Sequence, residues 1–189
     1  MTIPRTLLAV IVALASAQAV LAQDATTKPA ATQGAAPAGP IDYKKLKEML
    51  PETLAGVKRT EATGEKTAFG EMKFSQARAT YAKDAEKAEA PRLELQILDY
   101  GTNKQMIEGL AMWTKMEVDT ESDGGYQKST KVKDQPAMEQ YQNESKTGTL
   151  QLFVGERFFV TITTMNVPLE QFKKIGDELK IKELAALAK

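Results

Sequence analysis

Hydrophobic positions along this 189-residue chain change rhythm several times, and each change marks an element. Leu93, Leu95 and Ile97 alternate with Glu94 and Gln96, which predicts a half-buried strand. Just before Pro51 the spacing is helical. Tyr43, Leu46, Met49 and Leu50 share one face, Asp42 is placed to cap the helix, and Pro51 stops it. Gly56 to Arg59 opens a first strand. Phe69 to Tyr81 is strand-rich, but its alternation slips phase between Phe74 and Ala77, which predicts a bulge or turn there. Lys83 to Ala90 reads as an exposed loop.

A second helix follows Gly101. Thr102 and Gln105 have capping-box spacing, and Met106, Ile107, Leu110, Ala111 and Trp113 form its buried side. Asp119 to Gly125 reads as a polar break. Four strands then follow in a meander, at 126–132, 137–142, 150–154 and 158–164. Gly155-Glu156 fits a two-residue turn in the last hairpin. That register puts Leu152, Val154 and Phe159 on one face, and Phe153, Phe158, Val160 and Ile162 on the other. Both faces then need cover, from helices or from a second copy of the chain. Pro168 opens a terminal helix with Leu169, Phe172, Ile175 and Leu179 inward. Gly176 loosens it, and Ile181, Leu184 and Leu187 continue as a short last piece.

The predicted order is α-β-β-β-α-β-β-β-β-α, with six to seven strands. Strands grouped in runs, with few crossovers, define an α+β fold with a largely antiparallel sheet. This element order resembles the PsbP-like sandwich, in which a central antiparallel sheet lies between helices. The resemblance spans most of residues 41–189. It implies a small exported protein that acts by binding other proteins, and it assigns no functional residue.

The amino-terminal segment supplies an address. Arg5 precedes the unbroken apolar run Leu7–Ala15, and Val20-Leu21-Ala22 offers small side chains for a signal peptidase. The run is about half the roughly 20 residues a spanning helix needs. Residues 1–22 therefore read as a secretory signal peptide cut after Ala22, with Ala19 as the alternative. The expected product is periplasmic or extracellular, with no membrane span. Residues 23–40, nearly all Ala, Thr, Gln, Pro and Gly, read as a flexible linker whose Ala/Pro-rich style suits a bacterial source. Residues 41–189 form the single domain.

Composition narrows the chemistry. The chain has 25 basic and 25 acidic residues, and loss of Arg5 with the leader leaves 24 basic. Near-neutrality of this kind argues against a nucleic-acid partner. Cysteine and histidine are both absent. That removes disulfides, thiol and imidazole catalysis, and the ligands of an ordinary zinc site. No cofactor is expected.

The remaining candidates are few. Asp119, Glu121, Asp123 and Gly124 suggest a calcium loop, but Glu121 and Thr130 stand where an EF-hand needs Asp or Asn and a bidentate Glu, so an acidic turn is expected. Glu94, Asp99 and Glu108 are read as solvent-facing rather than as a hydrolase pair. Ser129 and Ser145 lack any nucleophile motif. Asn143-Glu144-Ser145 is a sequon that matters only in a eukaryotic secretory pathway. Trp113, Met112 and Met116 cluster on or just after the central helix. Core filling is their commoner use, and an adaptable binding surface the alternative, with Met112 fitting the inward face least. The expectation is an exported, non-enzymatic binding or accessory protein for an unknown protein or small ligand. A carboxylate-based envelope hydrolase and a homodimeric structural module are the alternatives.

Overall fold

A computed structural model describes residues 39–189 apart from 71, 84–86, 88 and 102. The signal peptide and linker residues 23–38 lie outside the described residues.

Helix α1 (Tyr43–Glu48) starts where expected, with the Asp42 carboxylate accepting from the Lys44 N–H at 2.8 Å. Strands β1 (Thr53–Leu54), β2 (Val57–Phe69), β3 (Met72–Ala82) and β4 (Arg92–Asp99) follow as a meander. Helix α2 (Lys104–Trp113) then leads to β5 (Asp119–Ser122), β6 (Gly125–Val132), β7 (Gln135–Gln142), β8 (Thr147–Val154) and β9 (Phe158–Met165). Three short helices close the chain: α3 (Leu169–Phe172), α4 (Ile175–Glu178) and α5 (Ile181–Ala186). The α+β class and antiparallel sheet stand. The strand count does not, for among the described residues nine strands lie in the order β1-β2-β3-β4-β9-β8-β7-β6-β5. The polar run at Asp119 is an edge strand rather than a break, because a strand at the sheet margin needs no apolar side chain.

One face of the sheet is the core. Ala77, Ala79, Tyr81, Leu93, Leu95, Ile97, Leu150, Leu152, Val160 and Ile162 all point to it and are buried. Helix α1 and the terminal helices cover this face with Leu46, Phe172, Ile175, Ile181 and Leu184. Removing so much apolar surface from water is the main force holding the layers together. A Cβ on Gly176 would meet Val132 Cγ1 at 2.7 Å, so this glycine is a close-packing point and not the break. The break falls at Lys173-Lys174, between α3 and α4.

Two register readings change. Between Phe74 and Ala77 the strand runs on without a bulge. Phe74 points to the outer face while buried Ser75, Ala77 and Ala79 point inward, and the irregularity lies at Arg59/Glu61. In the last hairpin Val154 pairs with Phe158, so Phe158, Val160 and Ile162 join Leu152 and Val154 inside, and Phe153 and Phe159 share the outer face. The turn is the expected Gly155-Glu156, both at positive φ, closed by the Arg157 N–H on the Val154 carbonyl. Arg157 is then an extra residue, drawn inward to an acid. The helix start also shifts: Asn103 is the N-cap, accepting from the Met106 N–H, and the expected capping residue Thr102 lies outside the described residues.

That acid is Asp99. It was expected at the solvent-facing surface but is fully buried, and its carboxylate accepts from Arg157 Nε and Nη2 and from the Ile41 and Gly101 N–H groups. Arg157 also donates to the Gly39 carbonyl, and Ser75 to the Ile41 carbonyl. Gly101, at φ +62, leaves room for Pro40, whose nitrogen would lie 2.8 Å from an added Cβ. Gly39 and Pro40, assigned to the linker from the sequence, are therefore fixed to the domain.

Candidate binding surface

The other face of the sheet, here called outer, carries a different chemistry. Strand alternation places Glu94, Gln96 and Leu98 of β4 there, with Phe159, Thr161, Thr163 and Met165 of β9. Thr147, Thr149, Gln151 and Phe153 of β8 continue it, followed by Met138, Gln140 and Gln142 of β7 and Gln127 and Ser129 of β6. Solvated strand faces usually carry Lys and Glu. Over these five strands, charge on this face is limited to Arg92, Glu94 and Lys131, and Glu94 meets Arg78 at 3.2 Å. Gln96 donates to Gln76 at 2.6 Å, tying neighbouring strands together.

Helix α2 lies over part of this face. Trp113 stands edge-on to Phe159, with ring centroids 5.6 Å apart, and Ser129 Oγ donates to the Met116 carbonyl while accepting from the Val118 N–H. The expected buried side of the helix is incompletely covered. Met106, Ile107, Leu110, Ala111 and Trp113 are all half-buried, and no residue of α2 is fully buried. Met112 is 71% exposed and Met116 52%. Of the three residues singled out from the sequence, Trp113 thus packs on the sheet, while both methionines face solvent.

Sequence reasoning missed the rest of the apolar surface. Phe69 and Met72 are a cross-strand pair at the tip of the β2–β3 hairpin, which runs past the last residue paired with β4. Phe69 is 82% exposed, and Met72 and Met165 are about half exposed. By alternation these three point to the outer side. Among the described residues, all five exposed large hydrophobic side chains therefore lie on this face or on the segment above it, and none on the helix-covered side. Phe69 and Met72 both lie within the stretch read as strand-rich from Phe69 onward, but the mostly small and charged residues of β2 before Phe69 concealed the alternation that makes the two a hairpin tip.

A groove of about 710 Å³ lies at one margin of the face, lined by Thr120, Ser122, Gln127, Gln140, Gln142 and Glu144 among others. Apart from the Glu144 carboxylate, these hydroxyls and amides offer donors and acceptors without net charge.

The other candidates disperse. Glu94 and Asp99 point to opposite faces of β4, and Glu108 is exposed on α2, so these three acids share no pocket. Asp123 and Gly124 form the turn of the β5–β6 hairpin, and among the described residues no group of three or more acids is placed to hold a metal ion. Ser145 and Asn143 lie exposed in the β7–β8 turn, where Asn143 Nδ2 donates to the Asp123 carbonyl. No described helix is long and apolar enough to cross a membrane. Compared with known proteins, the chain matches no family, no curated protein and no solved structure.

Proposed function

We propose that the chain is an exported, non-enzymatic accessory protein whose outer sheet face and α2 dock onto a protein partner. The observation that carries this reading is the one-sided distribution of exposed apolar side chains: Phe69, Met72, Met112, Met116 and Met165 stud a face that is rich in Thr and Gln and poor in charge. Non-obligate interfaces show the same bias, with Met and aromatic residues enriched and charge depleted at the centre. Methionine also adapts its shape to a partner. Five strands at ~4.8 Å spacing and eight residues at ~3.3 Å give about 630 Å² of face, and with α2, which lies over part of it, the surface approaches the usual contribution of one partner. The polar background suits a protein that also exists alone, which favours a partner over a permanent homodimer. The leader-like segment at 1–22 supports export, and the resemblance of the element order expected from the sequence to the PsbP-like sandwich supports a binding role.

Photo-cross-linking in the source cells tests the reading. A photoreactive residue at Thr163 or Met112 should give one defined protein adduct, and the same group at Lys182, on the helix-covered side, should not. Thr163→Arg should abolish co-purification of that protein. Equal labelling from both sides, or unchanged co-purification, would remove the proposal.

A further inference from the structure

The sheet ends at β5, and the pairing there shows which backbone groups are left free. The Ser129 N–H donates to the Val118 carbonyl at 2.7 Å, which sets Val118 and Ser129 at a bonded position of the ladder, although the Val118 N–H turns to Ser129 Oγ instead of the Ser129 carbonyl. Antiparallel ladders alternate bonded and non-bonded pairs. Thr120 with Gln127 and Ser122 with Gly125 are then bonded pairs as well, whereas Asp119 with Lys128 and Glu121 with Tyr126 are not. The N–H and C=O groups of Asp119 and Glu121 therefore point away from the sheet, along an edge that no other strand among the described residues covers. All four residues of β5 are exposed.

We propose that this edge accepts an extended segment of a partner protein as a tenth strand, one with Lys or Arg at alternate positions and neutral polar residues between them. The site is the unpaired backbone, since strand addition draws its affinity from main-chain hydrogen bonds and its specificity from alternating side chains. Both residues with free backbone groups are acidic, so cationic side chains on the incoming strand would lie beside them. Lys128, across from Asp119, is already held by Glu139 at 3.2 Å, so a cation is still wanted there. On the opposite side of the added strand, intervening residues would meet the groove at Thr120, Ser122 and Gln127. Pairing of β5 with β5 of a second copy is disfavoured, because it sets like carboxylates against each other. This site rests on the pairing pattern of β5 and stands or falls apart from the outer-face reading.

The test uses the full chain and synthetic eight-residue peptides, with binding read by fluorescence anisotropy. A peptide of alternating lysine and threonine should bind saturably and weaken as salt is raised. A block peptide of the same composition, a glutamate–threonine peptide, and the alternating peptide with N-methylated lysine amides should each bind at least about tenfold more weakly. The Asp119→Asn/Glu121→Gln double variant should lose affinity for the alternating peptide to a similar extent. Its fold is checked by circular dichroism, and both changes are at exposed positions. The proposal is overturned if the alternating peptide does not bind, if N-methylation leaves affinity unchanged, if the neutral variant binds as well as the parent, or if β5 self-associates in sedimentation runs.

Discussion

Arg157 Nη2 lies 2.9 Å from an Asp99 carboxylate oxygen, with both side chains shut away from water. The pair joins the end of β4 to the last turn of the chain's final hairpin and holds the backbone at Gly39 and Ile41. It thereby fixes where the amino-terminal segment meets the domain. Removing one member of a buried ion pair strands the other charge, so Arg157→Leu should cost about 3–5 kcal/mol in urea unfolding. The Ile41 amide should also exchange faster with solvent, because its acceptor loses the cation that orients it. Arg157→Lys should fall between, since an ammonium cannot span both carboxylate oxygens and the Gly39 carbonyl. A loss under about 1 kcal/mol for the Leu variant, within the range of an ordinary surface pair, would refute the anchoring role.

Tyr126 and Tyr141 stack across neighbouring strands, with centroids 6.4 Å apart, but their hydroxyls differ. Tyr141 donates to the Val167 carbonyl at 2.8 Å, whereas the buried Tyr126 hydroxyl has no partner among the described residues. Tyr141→Phe should therefore cost about 1 kcal/mol, and Tyr126→Phe should be neutral or stabilising, because it deletes an unsatisfied buried group. Chemical denaturation of the two variants side by side decides this, and equal losses would contradict the assignment.

Alkaline pH should destabilise the fold by a route that runs through the same tyrosine. Burial pushes Tyr81 from its ordinary 10.0 to about 12, against a lowering pull from Arg59. Burial, then the charges of Glu139 and Tyr141, push Tyr126 to about 12 as well. In both cases the folded value lies above the unfolded one. The folded chain then holds more protons between those values, and the stability present below pH 10 is lost as the pH rises toward about 12. Urea midpoints measured from pH 8 to 11.5 should fall less steeply for Tyr126→Phe than for the parent. Parallel curves would show that the phenol does not titrate with folding.

Much of this architecture was legible where side-chain period and burial agree. The alternation at Leu93, Leu95 and Ile97 marks a strand whose odd positions are all buried, and the Asp42 cap and the inward stripe Phe172, Ile175 and Leu179 are where the spacing put them. What escaped had other causes. Strands β2 and β5 lie toward the sheet margins and need few apolar residues. The last hairpin slipped by one because Arg157, which looks like a solvent-facing residue, is pulled into the core by Asp99, a contact 58 positions away that no local pattern contains. The binding surface was half visible. Met112 stands out because it breaks the helical stripe, whereas Phe69 and Met72 become a surface only when a long hairpin carries them past their neighbours.

Two glycines offer opposite outcomes from the same added methyl group. Gly148 of β8 lies under the Phe172 ring, and a Cβ there would sit 2.5 Å from the nearest ring carbon. Phe172 is itself buried between the sheet and α3, in tilted contact with Tyr141, so the ring has no free direction in which to yield. Gly148→Ala should therefore cost about 1–3 kcal/mol, the usual penalty for overpacking a filled core. Gly109 sits on the exposed side of α2, with open space where its Cβ would be. Gly109→Ala should stabilise that helix by up to about 1 kcal/mol through backbone entropy alone. Slower amide exchange confined to residues 104–113, with little change elsewhere, would show that α2 is a marginally held element on the outer face. A uniform gain across the sheet would instead mean that the helix unfolds only with the whole domain.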